Sequence, residues 1–328
     1  MQLRKLGTTK VREIGLGCMN LCHAYGEKPS EKDAIHLLHA AYDEGVQHFD
    51  TATLYGFGAS EALLAKAFKG RLNKIHLASK CGLLGVDGKR VLDARPESLA
   101  RQIDASLSRL QADCIDLYYL HRWQKDIPIE ESVGALSRMV EQGKVRDIGL
   151  SEVSAATLSK AHAIHPISAV QTEYSLWTRN VEIAVLQECR KLDIALVAFS
   201  PLGRGMFSNA VLRAGDLVTG DLRKNMPRFL EPNFSINLQL MRQFTDAATE
   251  YGVSTTHVAL RWLLDKYQNL IPIPGTRSVE HLRHNILAAS TEVAPEVMEI
   301  AENLFARNNV AGARYADAVQ CEIDTEEF

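Results

Sequence analysis

Two side chains early in the chain are spaced for proton chemistry. Asp50 closes an apolar stretch, 46–50, that reads as a short strand, and Tyr55 follows five residues later in a polar turn. A carboxylate and a phenol at the lip of a strand are poor core material, but with a cation beside them they can move a proton. A free phenol titrates near ~10, too high to give up its proton readily at neutral pH. An ammonium close by lowers such a value by roughly 1–3 units. Lys80, at the exit of the next apolar stretch, is the cation available. Asp50 can pair with it and hold it toward the phenol, and His121 can hydrogen-bond a substrate oxygen from the other side. The expectation is a phenol acid of lowered pKa beside a donor that fixes a carbonyl. The chain has no Gly-x-Ser-x-Gly elbow and no Gly-x-x-x-x-Gly-Lys loop, so a nucleophile or a phosphate cradle of those kinds is not indicated. Proton donation to a carbonyl then calls for a hydride from a cofactor. Taken singly, each residue has a plain structural reading: a rim ion pair, a loop aromatic, a satisfied histidine. Their shared register favours function.

The elements that would position them follow from periodicity. Apolar stretches at 14–18, 46–50, 75–80, 114–120, 145–150, 168–172, 194–199 and 270–273 alternate with amphipathic helical patterns. The first such helix, 31–44, has Pro29-Ser30 at its start, Gly45 at its stop and apolar residues at 34, 35, 38, 41 and 42. Residues 3–6 and 11–14, around Gly7-Thr8-Thr9, read as a small hairpin. Alternation argues for a parallel sheet, and the eight-fold count favours a closed barrel over a doubly wound sheet. Gly15-Leu16-Gly17-Cys18 lacks the third glycine of a dinucleotide fingerprint. The fold expected is α/β, a (β/α)8 TIM barrel with an N-terminal hairpin and long loops at the C-terminal face, with residues 1–328 as a single domain. Barrel active sites lie at the carboxyl ends of the strands, where Asp50, Lys80, His121, Ser151 and Gln171 fall. A glycine-rich loop follows the third strand. The Gly- and Pro-rich stretch 201–234 is too long for a plain connection and reads as a functional loop.

Composition narrows the partners. The 328 residues carry a net charge of -3 and are 46% hydrophobic, with no basic stripe, which argues against nucleic acid. Residues 1–20 hold no continuous apolar core of a signal peptide, and no run reaches the ~20 apolar residues of a membrane span. The cysteines, at 18, 22, 81, 114, 189 and 321, include no Cys-x2-Cys pair, so reduced thiols in a cytoplasm are expected. Cys18, Cys22 and His23 are too loosely spaced to make a good metal site, and no metal is expected.

Several stretches together resemble the aldo-keto reductases. They are His48-Phe49-Asp50-Thr51-Ala52 with Leu54-Tyr55-Gly56, Ser79-Lys80, Leu117-Tyr118-Tyr119-Leu120-His121, Gly149-Leu150-Ser151 and Val170-Gln171-Thr172-Glu173-Tyr174. Phe199-Ser200-Pro201-Leu202-Gly203-Arg204-Gly205 and Ile271-Pro272-Ile273-Pro274-Gly275-Thr276-Arg277 complete the set. The resemblance runs from Leu6-Gly7 to about Asn285. It implies an NADPH-dependent carbonyl reductase with Asp50, Tyr55, Lys80 and His121 as its tetrad and Tyr55 as general acid. It also implies that Ser151 and Gln171 hold the nicotinamide carboxamide and that Phe199 stacks on the ring. The remaining expected cofactor residues are Ser200, Pro201, Leu202, Gly203, Arg204, Gly205, Gly275, Thr276, Arg277, His281 and Asn285. Gly203 and Gly205 would let backbone approach a phosphate. Thr276, Arg277 and Ser278, before a helix starting near Val279, would suit the 2′-phosphate that NADPH has and NADH lacks.

The chain departs from the family pattern at four places; one is Phe199, which replaces a frequent Tyr and keeps the stacking face. Glu152 stands where Asn is frequent; it can accept from the carboxamide N–H but, ionised, cannot donate to its oxygen. His281 and His284 stand where Arg or Gln, and Glu, are frequent near the adenosine. A small-molecule carbonyl substrate would enter over loops carrying His23, Tyr25, Trp123 and Phe207 and over the tail beyond Asn308, with Trp123 either a pocket wall or loop packing. Two alternatives stand beside this reading. One is an NADPH-binding regulatory subunit on the same fold. The other is a Schiff-base lyase using Lys80, which Asp50 opposes by keeping the amine charged. Nothing in the sequence points to an oligomeric state.

Overall fold

A computed structural model describes residues 2–22, 24–208 and 214–328. Eight parallel strands form one sheet whose spatial order follows the chain. They are β1 (Leu16–Gly17), β2 (His48–Asp50), β3 (His76–Cys81), β4 (Ile115–Leu120), β5 (Val145–Ser151), β6 (Ala169–Glu173), β7 (Ala195–Phe199) and β8 (Leu270–Pro272). The two edges meet: the Gly15 amide donates to the Pro272 carbonyl at 3.0 Å. Side chains would obstruct this seam. A Cβ on Gly17 would lie 2.8 Å from the Ile273 carbonyl oxygen, and one on Gly15 2.9 Å from the His48 ring. Gly15 and Gly17 therefore serve closure of the sheet.

Helices cover the outside, so strands buried on both faces read as apolar runs; every residue of β3 is buried. Helix starts are set by local chemistry. The hydroxyls of Ser30, Ser154 and Ser254 accept the amides of Asp33, Thr157 and His257 in the first turns of Glu31–Asp43, Ala155–Ile164 and Thr255–Lys266. Proline opens Pro96–Leu110 and Pro295–Leu304, where its missing N–H costs nothing.

One end of the barrel is plugged. The N-terminal hairpin, Leu3–Leu6 paired with Thr9–Arg12, sends Leu6 and Val11 into a cluster with Ala78, Leu117, Tyr119, Ala169, Val197 and Ile271. Arg4 fastens it by donating to the Tyr267, Leu270 and Leu264 carbonyls at 2.7, 2.9 and 2.8 Å. Thr8 Oγ1 donates to Asp147 near the start of β5 at 2.7 Å. The hairpin closes the amino ends of the strands, and chemistry is left to the carboxyl ends.

The expected elements are present with local differences. The glycine-rich loop after β3 is itself an antiparallel hairpin, Leu83–Val86 with Lys89–Leu92. Between β6 and β7 the chain makes a 3-10 turn, Asn180–Glu182, and then a helix, Val185–Leu192. Within 201–234 the chain makes 3-10 turns at Gly203–Ser208, Ala214–Asp216, Leu222–Asn225 and Pro227–Phe229, and the next helix begins at Asn233. Among the described residues, no helix is long and apolar enough to cross a membrane.

Where β2 and β3 begin, His48 Nδ1 and His76 Nδ1 lie 3.0 Å apart, both rings buried. Burial holds the His48 pKa well below its ordinary value, and His76 and Lys80 push the same way. Burial also lowers His76, against the pull of Asp116 and Asp147. The unfolded chain therefore binds protons below about pH 6.5 that the folded protein refuses. The stabilisation is intact above that pH and is lost as pH falls toward the folded-state values. Each withheld proton contributes a slope of about 1.4 kcal/mol per pH unit. Denaturant titrations from pH 7.5 to 5 should show this loss, and a His48→Leu, His76→Leu double variant should flatten it; an unchanged slope would show that other groups set the acid limit.

Candidate active site

Strand register assembles the site. Asp50 on β2 pairs with Ala78 on β3, which places it beside Lys80 two residues further along. Cys81 pairs with Leu120, and the His121 amide donates to the Cys81 carbonyl at 2.8 Å, so His121 emerges at the same level. Tyr55 returns through a turn in which its amide donates to the Ala52 carbonyl at 3.1 Å.

Lys80 is fully buried and uses its three donors: Asp50 Oδ1 at 2.5 Å, the Thr51 carbonyl at 2.8 Å and the Tyr55 hydroxyl at 3.2 Å. Asp50 Oδ2 accepts from Gln171 Nε2 at 2.7 Å. Tyr55 and His121 meet edge to face, with centroids 5.9 Å apart. Burial acts to lower the Lys80 pKa, but Asp50 and Tyr55 outweigh it and hold the ammonium above its ordinary value. Burial raises Asp50, against Lys80 and Gln171.

The expected lowering of the phenol is reversed. Burial pushes Tyr55 above its ordinary value, and Asp50 adds to the push, while Lys80 and Arg122 pull back without winning. Desolvation of a phenolate was not visible in residue types. Tyr55 thus keeps its proton at neutral pH and is poised as a donor.

A groove of about 700 Å³ runs beside helix Val279–Leu287. Leu202, Gly275, Thr276, His281 and Asn285 line it, as do Ser208, Ser254, Arg283 and His284. The opposite wall comes from Thr245, Ala248 and Thr249 of helix Asn233–Glu250, residues with no chemical signature in the sequence. His284 stacks on His257 with centroids 4.1 Å apart. Burial lowers its pKa, helped by His257 and His281. Arg277 is exposed and donates to the Glu27 carbonyl.

Several expected cofactor residues have other partners. Ser200, Gly203, Arg204 and Gly205 have positive φ, at 49°, 55°, 55° and 96°, and Pro201 between them is buried. A Cβ on Gly203 would lie 2.9 Å from the Phe207 ring, so this glycine first accommodates the protein's own packing. The Arg204 guanidinium turns inward to Glu173 at 2.6 Å and to the hydroxyls of Tyr315 at 3.0 Å and Tyr25 at 3.4 Å. It also lies 5.9 Å from the centre of the Phe199 ring at the end of β7. Glu152, expected beside a carboxamide, is committed elsewhere. Its Oε1 accepts from Thr172 Oγ1 at 2.9 Å and the Glu173 amide at 2.8 Å, and its Oε2 from Arg314 at 2.6 Å. Ser151 Oγ accepts from Arg122 at 3.3 Å. Trp123, half-buried, packs against the core and donates its indole N–H to the Ile127 carbonyl at 2.8 Å. Phe207 is buried against Trp177, Phe244 and Phe305 and lines no entrance. His23 lies outside the described residues; Cys18 and Cys22 are buried.

The sequence reading missed how the tail is held. Arg314 binds Glu152 and, at 3.4 Å, Glu173. Asp324 Oδ2 accepts from the Ser154 amide at 3.0 Å and from Thr157 Oγ1 at 2.7 Å, at the start of helix Ala155–Ile164. Lys125 holds the Cys321 and Ile323 carbonyls at 3.0 and 2.8 Å. Burial would raise Glu173, but Arg204, Arg314 and Arg228 bring it down to about 2.

The sheet and the four residues gathered at its carboxyl end define a (β/α)8 protein with a Tyr–Lys–Asp–His site. Residues 13–305 match the aldo/keto reductase family, and the chain belongs to it. It is 39% identical over 319 residues to the aldo-keto reductase yakc (NADP(+)) of Schizosaccharomyces pombe, covering 95% of this chain and 94% of that one. Among solved structures it is similar to the glycerol dehydrogenase AKR11B4 of Gluconobacter oxydans, with a TM-score of 0.83 at 29% identity, covering 93% and 95% of the two chains. The holo form of aldo-keto reductase AKR11C1 from Bacillus halodurans gives 0.78 at 26% identity, covering 97% and 99%.

Arg314 is 4% exposed and neutralises two buried carboxylates. Breaking a buried pair from one side costs about 3–5 kcal/mol. Arg314→Met should lose stability on that scale in urea titrations and speed amide exchange across 314–327. Stability equal to the parent's would mean that Glu152 and Glu173 are satisfied without it.

Proposed function

We propose that the protein is a reductase of aldehydes or ketones that uses NADPH, with Tyr55 as general acid. The observation that carries this reading is the protonated phenol held 3.2 Å from a buried, charged Lys80 and edge-on to His121. The family assignment supports it, as does the NADP(+) in the name of the Schizosaccharomyces pombe relative.

The residues present fit the cofactor. The 700 Å³ groove suits an adenosine half. Its edge is a helix start where Ser278 caps the His281 amide at 3.3 Å and where Thr276 and Arg277 add donors. We assign the adenosine and its 2′-phosphate to Thr276, Arg277, His281 and Asn285, and the pyrophosphate to the backbone of 200–205. Bound NADPH supplies the hydride. Ser151 lies beside the tetrad as a contact for the nicotinamide end.

Tyr55 donates its proton to the carbonyl oxygen as negative charge develops there. Lys80 then faces the phenolate, with its charge fixed by Asp50. His121 orients the same oxygen from beside Tyr55. Gln171 holds the second oxygen of Asp50, so the ion pair cannot rotate away. A Schiff base on Lys80 is disfavoured, because all three of its N–H groups are engaged and its ammonium is stabilised. A purely regulatory role would leave this costly buried arrangement unused. We read residues 1–328 as one domain, since the tail is tied to the barrel through residues 152–157.

Tyr55→Phe should lower kcat by ~10²–10⁴-fold while NADPH affinity by fluorescence titration stays near the parent's; a normal kcat would remove Tyr55 from the mechanism. Lys80→Met should also slow reduction and move the alkaline limb of the pH–rate profile upward, because the phenol loses the cation that opposes its burial. Arg277→Met should weaken NADPH by about tenfold to a hundredfold, as expected for ~1.5–3 kcal/mol of charged hydrogen bonding, and leave NADH almost untouched. Equal losses for both cofactors would take Arg277 off the 2′-phosphate.

A further inference from the structure

Among the described residues four arginines are buried: Arg4 at 7%, Arg122 at 8%, Arg204 at 8% and Arg314 at 4% exposure. Arg4 has Glu13, Arg204 has Glu173, and Arg314 has Glu152 and Glu173. Arg122 differs: among the described residues, no carboxylate stands within ion-pair distance of it. One of its nitrogens, Nη1, donates to the His121 carbonyl at 2.6 Å and to Ser151 Oγ at 3.3 Å. Its Nε is buried without a hydrogen-bond partner, as are those of Arg204 and Arg314, but Arg122 alone of the three has no carboxylate on another of its nitrogens. An arginine cannot shed its proton to escape burial, and buried charges are otherwise paired. The missing counter-charge therefore comes from outside the chain.

The position of Arg122 selects the anion. It follows His121 at the end of β4 and touches Ser151 at the end of β5, and its charge is felt at the Tyr55 hydroxyl. The groove assigned to the cofactor phosphate lies instead beside Gly275, Thr276 and His281, after β8. A planar fork with a free Nε edge matches a carboxylate through two parallel hydrogen bonds. We propose that Arg122 is a specificity-determining residue, and that the preferred substrates are carbonyl compounds bearing a carboxylate, namely oxo acids and carboxylated aldehydes. This rests on the reductase reading above and names the substrate class for that same site.

The test compares 4-carboxybenzaldehyde with its neutral methyl ester, following NADPH oxidation. The parent enzyme should favour the acid in kcat/KM by about tenfold to a hundredfold, the usual scale for charge-assisted hydrogen bonds, with the difference mainly in KM. Arg122→Met should bring the ratio near one, and Arg122→Lys should restore part of it. Benzoate should raise the melting temperature of the parent and not of Arg122→Met. A parent ratio near one overturns the proposal, as does a loss in Arg122→Met that is equal for both aldehydes, which would mark Arg122 as a support for His121. Reduction of neither aldehyde would count against the reductase reading, and the benzoate shift in the parent would then decide the anion site alone.

Discussion

The buried ion pair between Lys80 and Asp50 is the constraint on which the rest depends. Two charges removed from water are tolerated only if geometry is good and leftover donors and acceptors are filled. Here they are filled by the Thr51 carbonyl, the Tyr55 hydroxyl and Gln171. These partners come from the turn after β2 and from β6, on different sides of the barrel. The pair is therefore affordable only in a closed sheet, and the sheet closes only because Gly15 and Gly17 let its edges approach. Seam, ion pair and phenol are links in one chain of requirements.

The same low-dielectric setting explains the state of Tyr55. A solvated phenol beside an ammonium would be a stronger acid than usual. In the barrel mouth, the cost of an unsolvated phenolate exceeds what Lys80 returns, and the proton stays on. That is the resting state that the proposed acid role of Tyr55 calls for. The two ends of the barrel divide the work: Arg4 and its hairpin seal one with backbone hydrogen bonds, and the other keeps its polar side chains for chemistry.

Much of this was legible in the residues. The polar exits of apolar strands marked Asp50, Lys80, His121, Ser151 and Gln171, because strand register follows from short-range alternation. The first helix start was readable from Ser30, since capping is local. What could not be read was pairing at long sequence distance. Glu152 looked like a ligand for the cofactor until Arg314 was found on it, 162 residues away. Arg204, expected among the cofactor residues, is held by Glu173 and Tyr315. Arg122 drew no notice beside His121, because a lone arginine in a list of residues does not show that its counter-charge is missing. The sign of the Tyr55 shift depends on burial, which no single residue type reveals.

The tail gives the site an order in time. Arg314 and Asp324 dock on partners at positions 152, 154 and 173, which leave the ribosome well before them. Until that docking, Glu152 and Glu173 lack part of their cationic cover, and the carboxyl end of β5 and β6 remains unfinished. The tetrad needs Gln171 and the seam at Pro272, both of which precede Arg314 and Asp324 in the chain. The tail's contacts thus complete the wall beside β5 and β6 with residues that come after every strand of the barrel.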